Sequence, residues 1–386
     1  MTPGARIAAA IEILDAIADG MPTEQALTRW ARGSRFAGSK DRAAVRDHVF
    51  DVVRHWRSDA TRGGAVTGRG RMIGRLRAQG ADLDMLFDGQ GHAPAPLSDT
   101  ERSAGQDPVD TTAAWDLPDW LVPEFEESLG SCAKATAHAL TQRAPVTLRV
   151  NISRTTIAAV QPVLEQDGIK TQRNPRAETA LTVVDGARRI KNASAYKDGL
   201  VEIQDAASQA AVTAIGAGGR ALDLCAGGGG KALALAAQGW SVTASDADAG
   251  RMRDLPVRAA RGGHAIAVSS AEKVPGLAPF DLVFVDAPCS GSGTWRRTPD
   301  AKWALTPERL AELVGIQRAV LSQAADLVRS GGRVVYATCS VLQDENDRQV
   351  AWFLDAHPAF QLDDKTQWPV DSAGDGFFSA HLTRKG

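Results

Sequence analysis

The chain has 386 residues, of which 44% are hydrophobic and 23% charged, so a single ordinary core cannot account for it and two or three globular domains are expected. A formal net charge of −2 offers no global attraction to nucleic acid, and any such partner requires a local basic surface. Cys132, Cys225, Cys289 and Cys339 form no C-x-x-C pair and are spaced too widely for a zinc site or a disulfide framework. Reduced thiols and no bound metal are the expectation.

The N-terminal segment reads as helical. Ile7, Ile11, Leu14 and Ile17 recur at helical spacing before Gly20, and the pattern around Arg6, Glu12 and Asp15 is amphipathic, unlike a signal peptide. No apolar run approaches the length of a membrane span, so a soluble, cytoplasmic protein is expected. A second helix is predicted over Thr23–Arg32 with Thr23 as its cap, and a third opens at Ser39 and carries Val45, Val49, Val52, Val53 and Trp56. Arg29, Arg32, Arg35, Lys40, Arg42, Arg46, Arg54 and Arg57, followed by Arg69, Arg71, Arg75 and Arg77, make this region basic. They are read either as solvated helix faces or as a phosphate-contacting surface.

Between Gly89 and Pro118 the composition shifts to Gly, Pro, Ser, Asp and Thr, which predicts a linker. A small strand–helix–strand module follows, with strands at Val146–Val150, Val183–Val184 and Leu200–Ile203 and a helix capped by Thr155 or Thr156. From Arg220 strands and helices alternate, the mark of an α/β domain with a mostly parallel sheet. Strands are predicted at Ala221–Cys225, Ser241–Ser245, Ala265–Val268, Leu282–Asp286 and Arg333–Thr338, with a final, antiparallel candidate near Phe377–Leu382. The clearest helix is Pro307–Val328, with Thr306 as cap and Pro307 in its first turn.

The chemistry concentrates in this last part. ALDLCAGGGGK is a strand, a glycine turn and a helix start, which lets a ligand approach the backbone and meet free N–H groups. It fits G-x-G-x-x-G poorly, since Gly227, Gly229 and Ala232 would have to serve. The next strand ends in TASDAD, where Asp246, or Asp248 after it, can accept from ribose hydroxyls; a helix N-cap is the plainer reading and fits Asp248 better. Ligands of open α/β sheets lie beyond the carboxyl ends of the strands. Asp286 and Cys289 follow one such strand and Thr338, Cys339 and Ser340 the next. Cys132 and Cys225 read as buried, inert packing.

Two thiols and a carboxylate suit one particular reaction. Carbon 5 of a pyrimidine becomes nucleophilic only after a thiolate adds to carbon 6, and a base and elimination of the thiol then restore the ring. A carboxyl group at the N3/N4 edge would select cytosine, and Asp286 is placed for that. FDLVFVDAPCSGSGTWRRTPDAKW, GGRVVYATCSVLQDEN and LDLCAGGGGK together resemble the RsmB/Sun family of RNA cytosine-5 methyltransferases. IQDAASQAAV and DGFFSAHLTRKG resemble flanking segments of that family, and FAGSKDRAAVRDHVFDVVRHWR is similar to the helical RNA-binding domain, like the antitermination factor NusB, that bacterial members carry.

The resemblance implies an α/β fold: a class I methyltransferase Rossmann-like sheet, mostly parallel with an antiparallel last strand, preceded by a small α+β module and an all-helical NusB-like domain. The implied division is 1–88 helical, 89–118 linker, 119–204 α+β module and 205–386 catalytic. It implies S-adenosyl-L-methionine as cofactor, RNA as partner (16S ribosomal RNA before transfer RNA) and a monomer. It further implies Cys339 as nucleophile, Cys289 as the thiol that assists product release, Asp286 at the target base and cofactor, and Lys231 reaching toward that carboxylate. Cys225, Ala226, Gly227, Gly228, Gly229, Gly230 and Lys231 would form the loop on the methionine side, with Asp246 at the ribose and Arg251 and Ser270 completing the cofactor site. Glu345 and Asn346 match an acidic motif after the nucleophile, although a helix start explains them equally well.

Two positions depart from the family pattern. Gly228 stands where a proline is usual, and Ala271, between Ser270 and Glu272, stands where an acid would meet the adenine amino group. The second departure is the support for a non-catalytic RNA-binding assembly factor. A DNA cytosine-5 methyltransferase would use Cys289 as nucleophile and need a large target-recognition region. A nicotinamide oxidoreductase has no use for Cys289 and Cys339 together.

Overall fold

The computed structural model describes residues 1–386. It divides into two compact units: Met1–Arg143 with Trp295–Ala304, and Ala144–Thr294 with Leu305–Gly386.

The first unit is helical. Helices Pro3–Ala18, Thr23–Gly33, Ser39–Arg54, Trp56–Gly63 and Gly68–Ala78 bury Ile7, Ile13, Leu14, Val45, Val49, Val52, Met72 and Ile73 in one core. Thr23 does not cap its helix: Pro22 precedes the first turn, and the Thr23 hydroxyl is buried without a partner. The expected linker carries helices of its own. Residues 89–118 contain helices Asp99–Ser103 and Thr111–Trp115, and Arg77 donates to the carbonyls of Arg62, Ala104 and Glu101. Arg69 pairs with Glu101 at 2.6 Å, so side chains from the preceding helix fix a stretch whose composition suggests flexibility. The unit continues through helices Leu121–Leu129 and Ala133–Thr141. Cys132 is exposed, not packed.

Residues Trp295–Ala304 also belong to this unit. Trp295 is fully buried and stacks on Phe125 at 5.9 Å. Trp303 Nε1 donates to the Val53 carbonyl at 2.9 Å, and Arg54 Nε to the Arg296 carbonyl at 3.0 Å.

The second unit carries two sheets. Strands β1 (Val146–Val150), β2 (Lys170–Arg173), β3 (Ala180–Asp185) and β4 (Val201–Ile203) form an antiparallel sheet in the order β2-β3-β1-β4. Helix Ile157–Gln166 packs on it, and its cap is Thr156, which accepts from Ala159 N. β2 was not expected; its residues are polar and mostly exposed.

The larger sheet contains β5 (Arg220–Asp223), β6 (Ser241–Ala244), β7 (Ala267–Val268), β8 (Phe280–Asp286), β9 (Val328–Thr338), β10 (Phe360–Trp368) and β11 (Phe377–Arg384), in the order β10-β11-β9-β8-β5-β6-β7. The five strands β5 to β9 run parallel, while β11 pairs antiparallel with β9 and β10 with β11. Alternation along β8 splits its side chains between two cores: Leu282 and Phe284 on one face, Val283 and Val285 on the other. Helix Gly230–Ala237 packs on the first face and Pro307–Leu327, capped by Thr306, on the second. Strand order reverses beside β5, which opens a crevice beyond the carboxyl ends of β5, β8 and β9.

Candidate active site at the strand ends

The turn after β5 is shaped by glycine. Gly227 and Gly229 have φ of +50° and +79°, and a Cβ on Gly229 would stand 2.3 Å from a Leu255 methyl. Asp246, buried at the end of β6, accepts from Gly227 N at 2.8 Å and Asp248 N at 2.9 Å, and pairs with Arg251 at 3.3 Å. It therefore braces the turn from below, while Asp248 caps the next short helix through Gly250 N. Arg258 bonds the Gly228 carbonyl, supplying restraint where Gly228 itself gives none.

Sequence reasoning missed Asp223. It ends β5, is fully buried, and neither carboxylate oxygen has a hydrogen-bond partner. Burial and the nearby negative charge of Asp286 push its acid up to about 7. An acid inside the apolar run ALDLC is the signal that could have found it. This orphaned group beside an open glycine turn fits a bound ligand that carries a cationic end. Cys225 is inert by contrast: burial and the surrounding Asp223, Asp286 and Asp246 push its thiol up to about 12.

Asp286 ends β8, and its Oδ2 accepts from Lys231 Nζ at 2.6 Å. Burial opposes the Lys231 charge, but the Asp286 carboxylate outweighs it and the ammonium's pKa is raised. Lys231 also lies 5.3 Å from the centre of the Phe377 ring. The two thiols meet at the same place: Cys289 Sγ and Cys339 Sγ are 3.4 Å apart. The proton they share is unevenly held. The Cys289 S–H lowers the Cys339 thiol, with help from Lys231 and Thr294 against burial and Asp286, and the same bond drives Cys289 well above the ordinary range.

A buried polar lattice joins the two cysteine loops. Glu345, fully buried, accepts from Ser290 N at 2.7 Å, from the Ser290 hydroxyl and from Gln317 Nε2 at 3.0 Å. Gln317 also donates to the Pro288 carbonyl at 2.9 Å. Thr338 donates to Asn346 Oδ1 at 2.6 Å, and Asn346 Nδ2 donates to the Ser340 carbonyl at 3.0 Å. Gly293 N donates to the Cys339 carbonyl at 2.9 Å. Glu345 and Asn346 thus cross-brace the loops and are not simply a helix start.

The remaining predicted residue, Ser270, is exposed, as are Ala271 and Glu272. Ser270 makes no side-chain bond as N-cap of its short helix. The structure gathers Lys231, Asp286, Cys289 and Cys339, sets Asp246 and Arg251 beneath the glycine turn, and leaves Ser270 apart from both groups of contacts.

Comparison with known proteins then decides the family. The model of 16S rRNA methyltransferase RsmB/F matches residues 213–383, and the ferredoxin-like domain of RsmF/B-like methyltransferases matches 117–188. Ribosomal RNA small subunit methyltransferase B of Cronobacter sakazakii is 33% identical over 299 residues, covering 73% of this chain and 68% of that protein. The chain belongs to the RsmB/F family. The same-named protein of Vibrio cholerae is 33% identical over 289 residues, covering 69% of this chain, and the aligned stretch spans only 65% of that relative's length. The fold is shared across the whole chain with the crystal structure of PH0851, at TM-score 0.77 and 24% identity, covering 100% of this chain and 99% of that one. NSun6 from Pyrococcus horikoshii shares it at TM-score 0.62 and 16% identity, over 70% of this chain and 98% of that one. The large sheet is thus the methyltransferase sheet of the RsmB/F family.

Proposed function

We propose that this RsmB/F-family chain methylates carbon 5 of a cytosine in RNA, with small-subunit ribosomal RNA as the substrate, through a covalent adduct on Cys339. The observation that carries the reading is the thiol pair at 3.4 Å beside the Lys231–Asp286 pair at 2.6 Å. The names of the relatives support the ribosomal RNA substrate.

The glycine turn, Asp223 and Lys231 would hold S-adenosyl-L-methionine, with Asp246 at its ribose. When bound, this group supplies an electrophilic methyl to carbon 5 of the base. Cys339 as thiolate adds to carbon 6, forming a C–S bond and moving the ring electrons toward carbon 5. Asp286 hydrogen-bonds the N3/N4 edge, and Lys231 orients Asp286. After a base takes the carbon 5 proton, the C–S bond breaks and the electron pair returns to Cys339 sulfur. The Cys289 S–H, already in hydrogen-bond reach of that sulfur, stabilises the leaving thiolate.

An RNA partner requires local positive charge, and the arginine-rich region divides in two. Arg46, Arg54, Arg57, Arg69 and Arg75 pair with acids of their own unit, and Arg71 lies buried over Trp56. Arg29, Arg32, Arg35 and Lys40 remain exposed and form no ion pair. Among them Arg35 and Phe36 occupy the corner of a turn closed by Ala37 N to the Ser34 carbonyl at 3.0 Å, and Phe36 is 75% exposed. Cations around an exposed ring suit an unpaired, stacked base. The deciding experiment incubates the protein with labelled S-adenosyl-L-methionine and small-subunit RNA and maps 5-methylcytosine by bisulfite sequencing. No label in any RNA would sink the reading, and label confined to transfer RNA would move the substrate.

A further inference from the structure

The two thiols differ little in local chemistry, so something must decide which of them loses its proton. Both are partly buried, they lie at the ends of adjacent parallel strands, and each can donate to the other. A symmetric pair would present either sulfur as nucleophile. Asymmetry has to come from the charges around them.

Four charged or titratable side chains face the pair. Lys231 favours the charge on Cys339, and Asp286 opposes it there. Tyr336, buried on β9, keeps its proton and donates it to the Glu345 carbonyl at 2.6 Å. The fourth is Glu345. Its carboxylate is fully buried, yet the donors that satisfy it, Ser290 N, the Ser290 hydroxyl and Gln317 Nε2, are all neutral. None of these neutral donors offsets the repulsion that Glu345 exerts on a charged Cys289. Ser290 directly follows Cys289, so the carboxylate is anchored to the Cys289 loop, while Lys231 is the cation that favours a charge on Cys339.

We infer that Glu345 is a positioning residue that keeps the shared proton on Cys289 and so makes Cys339 the attacking thiolate. This rests on the reading of Cys339 as nucleophile and adds the device that selects it. The directions of the two thiol shifts agree, Cys289 upward with Glu345 among the causes and Cys339 downward. The same carboxylate braces the loop that carries Cys289, so its position and its charge act on one sulfur.

The test treats full-length protein, without RNA or cofactor, with limiting iodoacetamide from pH 6 to 9, and peptide mass spectrometry gives the label on each cysteine. In the wild type Cys339 is labelled first, with its midpoint below that of an ordinary thiol. In Glu345→Gln, which preserves shape but removes charge, the Cys289-to-Cys339 labelling ratio rises about tenfold, the effect of one pH unit in relative acidity. Glu345→Asp restores part of the preference. An unchanged ratio in a folded Glu345→Gln protein overturns the inference. Should that variant fail to fold, equal or prior labelling of Cys289 in the wild type overturns it instead. Because the readout involves no methyl transfer, an inactive wild type would count against the function and not against the placement of the proton.

Discussion

The sulfur of Cys289 stands 3.4 Å from that of Cys339, although fifty positions separate them in the chain. That contact gives the two thiols unequal work, and substitution should separate them. Cys339→Ala should reduce methyl transfer and covalent trapping on 5-fluorocytidine RNA to background. Cys289→Ala keeps the attacking sulfur and loses the donor that helps it leave, so it should accumulate as an RNA-linked species on a denaturing gel. A cross-link that persists in Cys339→Ala and disappears in Cys289→Ala would reverse the roles.

Lys231 links the cofactor turn to the chemistry. Its ammonium both pairs with Asp286 and favours a charge on Cys339. Removing a partner from such a partly exposed pair costs on the order of 1–3 kcal/mol, less than for a fully buried one. Lys231→Met should therefore melt at a modestly lower temperature. It should also shift the pH midpoint of Cys339 alkylation upward, because the thiolate loses a stabilising cation. A midpoint unmoved in a folded variant would show that the cation does not act on the sulfur.

Asp59, in the helical unit, gives a pH-dependent prediction. It is fully buried, its carboxylate oxygens lack hydrogen bonds, and Arg75 at 3.6 Å is too distant to supply one. Burial pushes its acid up to about 8. Between the ordinary carboxylate range and that value the folded state holds a proton that the unfolded chain releases, so stability falls as pH rises from about 4 to about 8. Asp59→Asn cannot ionise, so its stability relative to wild type should climb through this window by up to about 1.4 kcal/mol per pH unit, with its melting temperature rising in step. A constant difference between the two proteins across that range would refute the assignment.

The turn at Arg35–Phe36 offers a direct test of RNA binding. Base stacking on an aromatic ring contributes about 1–3 kcal/mol, so Phe36→Ala should weaken binding of single-stranded RNA roughly 5- to 150-fold, with Phe36→Trp preserving it. Arg35→Ala should instead flatten the dependence of log affinity on log salt by about 0.7. Fluorescence anisotropy over a salt series separates these effects, and affinities indifferent to both changes would remove this turn from the interface.

The catalytic sheet was legible because its parallel strands are short apolar runs that end in chemistry: Leu282–Asp286 stops at a carboxylate, and Arg333–Thr338 stops one residue before a cysteine. β10 was not legible, since FQLDDKTQW is a largely exposed edge strand whose order comes from backbone pairing with β11. The same holds for β2 beside β3. The helices within 89–118 were not legible because composition records the absence of a local preference, while Arg69 and Arg77, well before them in the chain, supply the anchors. Glu345 was ambiguous for a similar reason. Its decisive partner, Ser290, lies 55 positions away, and no local pattern reveals a bond of that span. Asp223 was visible as an acid in an apolar strand, but only packing shows that nothing satisfies it.

The ten residues Trp295–Ala304 bear on how this protein could be shortened or recombined. The chain leaves the cysteine loop at Thr294, gives Trp295 and Trp303 to the helical unit, and returns at Leu305. An N-terminal truncation at residue 144 would strip Phe125 from Trp295 and the Val53 carbonyl from Trp303, leaving two indoles bare six and fourteen residues downstream of Cys289. The helical unit is therefore not a detachable leader. Exchanging it for a different RNA-binding domain would require grafting this insertion as well, with both of its crossing points kept in register.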